Sequence, residues 1–476
     1  MQDIFRYVDS HRDEMLANLF ALVRQPSIST QGIGVVETAQ MLAEMMRKIG
    51  IETAVYDTSG FPIVYGEIKA PGAGKTLLVY GHYDVQPPEP LEPWNSPPFE
   101  PTIRDGRIWG RGTADNKGQL LAHVLAAKAF LETRGVPPVN LKFLFEGEEE
   151  VNSVNLWPFV EAHRDLLKAD AALTGDGPSH PSGRQLINCG VKGMCCAEIR
   201  AREANRDLHS MRGPMVRSAA WKLIHALATL KDRNERILIP GFYDAVRPPS
   251  EAELAAVKAI PYDAAAIKKD LEIDDLIGGD DSYYYNFVFG NSCNIAGLTS
   301  GYQGSGMKTV LPCRASAKID FRLVPDQRPE DIVEKLRAHL ESSGFGDLEV
   351  EYLGGFYPSR TPVDHPYVQS VVRATRFATG KEPVLSPNMA GGGPDYVFTC
   401  LLGLPSVWIP LSPHDSNNHA PNESIYLEGF FEGIKISAAI MEEMANLHLG
   451  VSTINKLDLE VISVPGFPNQ KAKIDN

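Results

Sequence analysis

Short apolar runs typical of strands alternate with long helical patterns over the first part of the sequence, and this alternation constrains the fold most. The strand-like runs include TLLVYGHYDV and NLKFLF, and the helical ones include residues 35–49, ended by Gly50, and QLLAHVLAAKAFLETRG. Strands that alternate with helices predict an α/β layer architecture with a largely parallel sheet. Residues 3–24 are predicted to form one amphipathic helix before the first strand.

The pattern changes from about Leu186. Segments in the order β-α-β-α-β follow, from INCGVKGMCCAEIRA to DLEVEYLGG, and they predict a smaller α+β unit. The α/β character returns at LLGLPSVWIP and in the helix that begins with LEGFF. We therefore predict a larger domain formed by residues 1–186 and 380–476, into which residues 187–379 are inserted. The segment after Gly450 is predicted to be a surface arm.

Charge and composition exclude several classes of partner. The chain has 476 residues, with 46 basic and 60 acidic side chains and a formal net charge of −14. An acidic balance argues against a nucleic-acid partner and against an anionic membrane surface. No apolar run reaches the ~20 residues that a membrane span needs, and the first residues lack a signal-peptide pattern. The six cysteines follow no metal or redox spacing, so we expect a reduced protein in the cytoplasm.

Chemistry-bearing side chains follow the predicted strands. His82 and Asp84 end the run LLVYGHYDV, and residues two apart on a strand point to the same side. A histidine that binds a metal usually has its second ring nitrogen fixed by a carboxylate or carbonyl group. The pair therefore predicts a metal-ligating histidine with its orienting group, and the alternative is a polar pair that faces solvent.

Further acids and one histidine complete a candidate set. Asp115 lies in a glycine-rich turn before a helix, where it could also be an ordinary helix-capping aspartate. The acids of FEGEEEVNS follow a strand and repel one another unless cations or solvent screen them, so a solvated acidic loop is the alternative. Asp176 in TGDG and His419 in HAPNES are the other candidates. Carboxylates and imidazoles together suit zinc, manganese or cobalt, and a paired site needs one carboxylate shared by two metals.

The chain resembles the aminoacylase–carnosinase–glutamate carboxypeptidase family of co-catalytic metallopeptidases. The resemblance runs from about residue 10 to 445, in the ordered motifs GHYDVQP, GRGTADNKG, FEGEEEVNS, TGDG, DLHS, GYQGSGMKTVLP, FRLVPDQ and HAPNES. It implies a zinc-peptidase-like, three-layer α/β catalytic domain that carries an inserted α+β lid, through which two chains form a homodimer. It also implies two divalent metal ions per subunit, with zinc expected first and manganese or cobalt as alternatives.

The resemblance assigns the metal ligands residue by residue. Asp115 would bridge both metals, His82 and Asp176 would complete one position, and Glu150 and His419 would complete the other. Glu149 would be the general base that takes a proton from the bridging water and later gives it to the leaving amine. Asp84 would orient His82. Glu148 is the alternative if the register of the acids is shifted by one residue, and His180 and His414 are rival ligands.

The resemblance also implies substrate contacts from the inserted unit. The partner subunit's His209, in DLHS, would stabilise the oxyanion, and Thr309 and Arg322 would hold the substrate backbone and its carboxylate. Arginine suits bidentate capture of a carboxylate, although a surface ion pair is the alternative for Arg322. The stretches YLGGFYPSRTP and MAGGGPDY depart from carnosinase-type members, which have a histidine and a serine there.

Together these features predict a hydrolase that cleaves the amide bond of a dipeptide or an N-acyl amino acid, with a carbamoyl compound as a third possible substrate. The alternative is a catalytically silent relative that uses the same fold for binding or as a scaffold. Such a relative should lack a ligand or the base, and none is missing from this sequence. A metal-free serine or cysteine hydrolase is the third alternative, but the sequence contains no G-x-S-x-G motif.

Overall fold

The computed structural model describes residues 1–447. The predicted surface arm after Gly450 lies outside the described residues. In chain order the helices are α1 Gln2–Ser10, α2 Arg12–Arg24, α3 Val35–Ile49, α4 Lys117–Arg134, α5 Leu156–Ala162, α6 Ala219–Leu227, α7 Glu251–Lys258, α8 Ala264–Leu271, α9 Tyr283–Phe289, α10 Pro329–Leu340, α11 Pro366–Thr379 and α12 Leu427–Ala445. None of these helices is both long and apolar enough to cross a bilayer.

Four sheets join the strands. In chain order the strands are β1 Glu52–Tyr56, β2 Ile63–Ile68, β3 Thr76–His82, β4 Thr102–Arg104, β5 Arg107–Trp109, β6 Asn140–Glu146, β7 Ala171–Thr174, β8 Leu186–Asn188, β9 Gly193–Arg202, β10 Leu208–His209, β11 Ser292–Ser300, β12 Val310–Leu311, β13 Arg314–Leu323, β14 Glu349–Phe356, β15 Val384–Ser386, β16 Ser406–Trp408 and β17 Ser424–Tyr426.

The largest sheet has eight strands in the order β1-β2-β6-β3-β7-β16-β8-β15. Its central strands β6, β3, β7 and β16 are parallel, whereas β1, β2 and β8 join through antiparallel pairs. The sheet is therefore mixed rather than largely parallel. The central strands are buried on both faces, as covered parallel strands are. Leu77 and Val79 of β3 pack on one core, and Leu78 and Tyr80 pack on the other.

Helices cover both faces of this sheet and give three layers. One core joins α1, α2, α3, α4, α11 and α12 to the sheet, and α5 with residues 397–404 covers the other face. The expected helix over residues 3–24 is two helices, because the backbone at His11 leaves helical geometry. Helix α3 has the predicted bounds and ends where Gly50 takes a φ of 98°, a conformation that glycine adopts without steric cost.

A second unit is built on the antiparallel sheet β11-β13-β9-β14. Alternate residues of β9 and β13 pack with α6 and α10 in a separate core, as expected for an antiparallel sheet with one covered face. The predicted α/β class with an additional α+β unit is thus confirmed. The domain boundaries at 186/187 and 379/380 stay predictions. Helix α11, which precedes the second boundary, packs in the larger core.

Candidate metal centre

The candidate site lies where the central parallel strands end. β3 ends at His82, which pairs in register with Glu146, the last residue of β6. The neighbouring strand β7 ends at Thr174, two residues before Asp176. Carboxyl ends of parallel strands share one edge of a sheet, where open α/β sheets place their ligands. The three segments therefore deliver their polar side chains to one place.

The first group of candidate ligands consists of His82, Asp115 and Asp176. The Nε2 atom of His82 lies 3.2 Å from Asp115 Oδ1 and 3.7 Å from Asp176 Oδ2. Although these contacts are close, Nε2 is buried and has no hydrogen-bond partner among residues 1–447. A buried polar atom without a partner costs free energy, and a cation bound to Nε2 would remove that cost.

The second group consists of Asp115, Glu150 and His419. The Nε2 atom of His419 lies 3.0 Å from Asp115 Oδ2 and 3.2 Å from Glu150 Oε2. Gln86 donates from Nε2 to Glu150 Oε2 at 2.8 Å, whereas the buried Glu150 Oε1 has no hydrogen-bond partner in the described part of the chain. In each group, every residue offers one atom that could bind a metal, and these atoms all lie within 4.8 Å of one another.

Asp115 belongs to both groups and directs one carboxylate oxygen to each. Its Oδ1 faces His82 and its Oδ2 faces His419. The histidines and carboxylates of the two groups are the donors that zinc, manganese and cobalt take in proteins. The residues present therefore fit divalent cations in both groups.

The acidic and imidazole groups perturb one another. Burial acts to lower the pKa of His82, but Asp115 and Asp176 outweigh it and raise that pKa well above the usual value. Asp115 and Glu150 raise the pKa of His419 to about 10. Burial raises the pKa of Glu150, and the adjacent Asp115 raises it further. Metal ions displace protons from such ligands, so the same field that holds these protons also attracts cations.

Asp84 anchors the turn that carries the acidic cluster. Its side chain is fully buried, with Oδ1 accepting from the backbone N–H of Glu149 at 3.3 Å and Oδ2 from that of Glu150 at 3.1 Å. The Nδ1 atom of His82 lies 3.1 Å from the carbonyl oxygen of Asp84 and 3.3 Å from its Oδ1. Asp84 thus contacts the imidazole and also fixes the backbone of both neighbouring glutamates.

The three consecutive glutamates have different surroundings. Glu148 accepts from the backbone N–H of Phe61 at 3.1 Å and from Asn155 Nδ2 at 2.8 Å, so it ties two loops together. Glu150 joins the second ligand group. Glu149 has no side-chain hydrogen bond or ion pair among residues 1–447. Burial, together with the neighbouring carboxylates of Asp176 and Glu150, raises the pKa of Glu149 well above its ordinary value.

Several positioning residues escaped the sequence analysis. Asn116 donates from Nδ2 to the carbonyl of Gly175 at 2.6 Å and contacts the backbone N–H of His82 at 3.4 Å. Gln119 donates to the carbonyl of Ala114 at 2.6 Å. Asn116 directly precedes helix α4 and Gln119 lies in its first turn, and polar side chains at the start of a helix whose next turns are buried were the available signal.

His209, Thr309 and Arg322 lie in the second unit. His209 is exposed and pairs with Val310 between β10 and β12, and the backbone N–H of Ser210 donates to the carbonyl of Thr309 at 3.2 Å. No hydrogen bond or ion pair within residues 1–447 joins these three side chains to the candidate ligands. The half-buried side chain of Arg322 also has no ion-pair partner within that range.

The rival histidines lie outside both ligand groups of the described residues. His180 is occupied at both ring nitrogens, because Nδ1 contacts Ser182 Oγ and Nε2 contacts the hydroxyl of Tyr284, each at 2.9 Å. His414 belongs to neither group. The structure therefore brings together the predicted ligands and not these alternatives.

Two of the three glycines in the stretch MAGGGPDY are packed too tightly for a side chain. A Cβ atom at Gly392 would lie 2.1 Å from the ring of Phe356, and one at Gly393 would lie 2.4 Å from the ring of Trp408. Real Cβ contacts are never this short. The aromatic rings fill the space that a serine side chain would occupy in the carnosinase-type pattern.

Known proteins are similar to this chain over most of its length. The Beta-Ala-His dipeptidase of Homo sapiens is 28% identical over 473 residues, which cover 94% of this chain and 93% of that protein. The Cys-Gly metallodipeptidase dug1 of Schizosaccharomyces pombe is 27% identical over 480 residues, covering 94% and 99%. The crystal structure of the M20 family metallo-carboxypeptidase Sso-CP2 from Sulfolobus solfataricus has a TM-score of 0.86 and 39% identity, covering 91% of this chain and 100% of that one.

The model of Peptidase family M20/M25/M40 matches residues 78–443, which is more than half of the chain. This match confirms the predicted resemblance and the predicted class of enzyme, a metallopeptidase. The chain belongs to peptidase family M20/M25/M40.

Proposed function

We propose that this chain is a dinuclear metal-dependent hydrolase that cleaves the amide bond of dipeptides or N-acyl amino acids. The observation that carries the proposal is the double role of Asp115, whose two oxygens face separate groups of ligands. His82 and Asp176 would complete one metal position, and Glu150 and His419 the other. Zinc is the first candidate, and manganese and cobalt suit the same donors.

Two bound cations would lower the pKa of a shared water and polarise the scissile carbonyl group. The chain itself has to move the proton, and Glu149 is the proposed carrier. Its carboxylate has no hydrogen bond among residues 1–447, and burial raises its pKa above the ordinary value, which is the direction that makes a carboxylate a stronger base. Asp84 holds the backbone of Glu149 and so positions the base.

A small peptide with a free carboxylate is the proposed substrate. The relatives called Beta-Ala-His dipeptidase and Cys-Gly metallodipeptidase support the choice of a dipeptide. Arg322 would hold the substrate carboxylate, and its lack of an ion-pair partner in the described chain supports that role. Thr309 would contact the substrate backbone, and the partner subunit's His209 would stabilise the oxyanion. The homodimer and the cytoplasmic location remain predictions.

The roles of the adjacent glutamates can be tested together. Glu149→Gln should retain two metals per chain and lose about 10²–10⁴-fold in turnover, because it removes a proton carrier and no ligand. Glu150→Gln should instead lose metal from one position. Metal content by mass spectrometry and dipeptide hydrolysis at saturating metal measure the two effects separately.

Glu148→Gln is the matched control, because Glu148 is adjacent but ties two loops together and lies in neither ligand group. It should keep both metals and stay within about tenfold of wild-type turnover, since weakening a few hydrogen bonds costs about 1–3 kcal/mol of folding stability. If Glu148→Gln or Glu150→Gln has the phenotype expected of Glu149→Gln, the general base is a different residue.

A further inference from the structure

The carboxylate of Glu423 is fully buried and is surrounded by donors from the turn that carries Asp115. Arg111 donates from Nη1 to Oε2 at 2.7 Å. The backbone N–H groups of Ala114 and Asp115 donate to Oε1 at 2.8 Å and 2.9 Å. The N–H of Gly112 lies 3.1 Å from both oxygens. One carboxylate therefore fixes the backbone of the turn from several sides.

Glu423 also belongs to the loop that carries His419. This loop is closed by hydrogen bonds from the N–H of Ser424 to the carbonyl of Ser416 at 2.9 Å and from Asn417 Nδ2 to the carbonyl of Asn422 at 3.1 Å. His419 has a φ of 60°, a left-handed conformation that costs free energy in most residues other than glycine. The loop is thus a closed unit, and besides the contact of His419 with Asp115 itself, Glu423 joins it to the Asp115 turn.

The burial of the Glu423–Arg111 pair is not explained simply by stability. The Arg111 side chain is 1% exposed, and its Nη2 donates to the carbonyl of Pro87 at 3.2 Å. Removing both charges from water costs free energy that their attraction does not reliably offset, whereas buried pairs can specify geometry. The geometry specified here is the separation of Asp115 and His419, two of the three ligands of the second group.

In the first group only the shared Asp115 is held by Glu423, whereas His82 and Asp176 are held differently. Asn116 contacts the N–H of His82 at 3.4 Å and donates to the carbonyl of Gly175, next to Asp176, at 2.6 Å. These contacts connect His82 with Asp176 without Glu423. A change at Glu423 should therefore disturb the two groups unequally.

We propose that Glu423 is a positioning residue that sets the spacing between Asp115 and His419, and so controls metal affinity at the Asp115–Glu150–His419 position more than at the His82–Asp115–Asp176 position. The inference rests on the proposed two-metal function. It assigns Glu423 no contact with substrate or metal.

Glu423→Gln is the informative substitution because it preserves size while replacing one acceptor oxygen with an NH₂ donor. In either orientation the amide would direct a donor at other donors, at Arg111 or at the N–H groups of Ala114 and Asp115. The turn would have to move to relieve that contact, and Asp115 would move with it.

The matched control is Glu253→Gln, because Glu253 belongs to neither ligand group. Glu253 pairs with Arg360 at 3.0 Å, with side chains 8% and 9% exposed, and accepts from the backbone N–H of Ser250 at 2.7 Å. It thus resembles Glu423 in burial and in partners, but it contacts no candidate ligand. Both variants should lower the melting temperature of the metal-free protein.

Metal affinity separates the two variants. Metal-free protein is titrated with Co²⁺ alone and followed by its visible absorption. Wild type and Glu253→Gln should bind two Co²⁺ per chain with similar affinities. In Glu423→Gln the weaker of the two Co²⁺-binding steps should lose about 10–100-fold in affinity, while the affinity of the other step changes less than about threefold. The larger loss is the range seen when groups that orient metal ligands are removed.

Equal weakening of both steps, or the same loss in Glu253→Gln, would overturn the role of Glu423. If Glu423→Gln does not fold, Glu423→Asp keeps the charge and shortens its reach, and unchanged binding of both Co²⁺ ions by that variant overturns the role as well. If wild type binds only one Co²⁺, the two-metal function itself fails; two unchanged steps in Glu423→Gln refute only the inference about Glu423.

Discussion

Asp84→Asn should weaken metal binding and slow the reaction even when metal is saturating. Asp84 is fully buried, and its two oxygens accept from the N–H groups of Glu149 and Glu150 at 3.3 Å and 3.1 Å. An asparagine of the same size directs an NH₂ donor at one of those N–H groups or at the imidazole of His82. The substitution therefore removes an acceptor from the base and from a candidate ligand together.

The magnitude follows from the contacts that are lost. A hydrogen bond to a charged group contributes ~1.5–3 kcal/mol, and the length of these two favours the lower end. Groups that orient metal ligands contribute 10–100-fold in metal affinity, which corresponds to ~1.4–2.8 kcal/mol. A misplacement of the base by ~1 Å can cost a further 10²-fold in rate. We therefore expect metal affinity to fall 10–100-fold and kcat at saturating metal to fall about 100-fold.

Competition with a chelator measures the metal affinity, and hydrolysis of a dipeptide measures kcat. Asp395→Asn is the matched control, because Asp395 is also fully buried and its Oδ1 accepts from Trp408 Nε1 at 2.8 Å, but it belongs to neither ligand group. It should lower stability and leave metal affinity within about threefold. Wild-type affinity and wild-type kcat in Asp84→Asn would refute the assigned role.

Two further predictions concern the inserted unit. His209→Ala and Glu149→Ala should each be nearly inactive, but co-expression of the two variants should restore roughly a quarter of wild-type activity, because half of randomly paired dimers are mixed and half of their sites are whole. No recovery despite proven heterodimers would place His209 outside the partner's site. The control is His225→Ala, at an exposed histidine of α6, which should stay active. Arg322→Ala should raise KM for dipeptides at least tenfold and leave KM for their carboxyl-terminal amides unchanged, since only the free carboxylate pairs with the guanidinium group; equal effects on both substrates would contradict this.

Local sequence patterns were sufficient for much of the fold. Helix α3 was predicted from its periodicity and from Gly50, and both are local signals. The break at His11 was missed, because the apolar pattern continues across it from α1 to α2. The antiparallel strands at the sheet edges were also missed, since strand direction depends on how the chain returns to the sheet and not on the residues of the strand.

In the candidate site too, local patterns identified some residues, whereas contacts between distant parts of the chain were missed. Strand ends and glycine-rich turns indicated His82, Asp115 and Asp176, which the structure brings into one group. Glu423 was not singled out, because its partners lie about 310 residues earlier in the chain and no periodicity connects them. The second contact of Asp84, with the backbone of the acidic turn, was missed for the same reason.

Metal titration of the stripped enzyme tests the central claim most directly. Protein freed of metal with a chelator is titrated with Zn²⁺, Mn²⁺ or Co²⁺ while dipeptide hydrolysis is measured. The two groups that share Asp115 predict no turnover without metal and full turnover at two equivalents per chain. Full turnover in protein shown to be metal-free, or saturation at a single equivalent, would contradict the account.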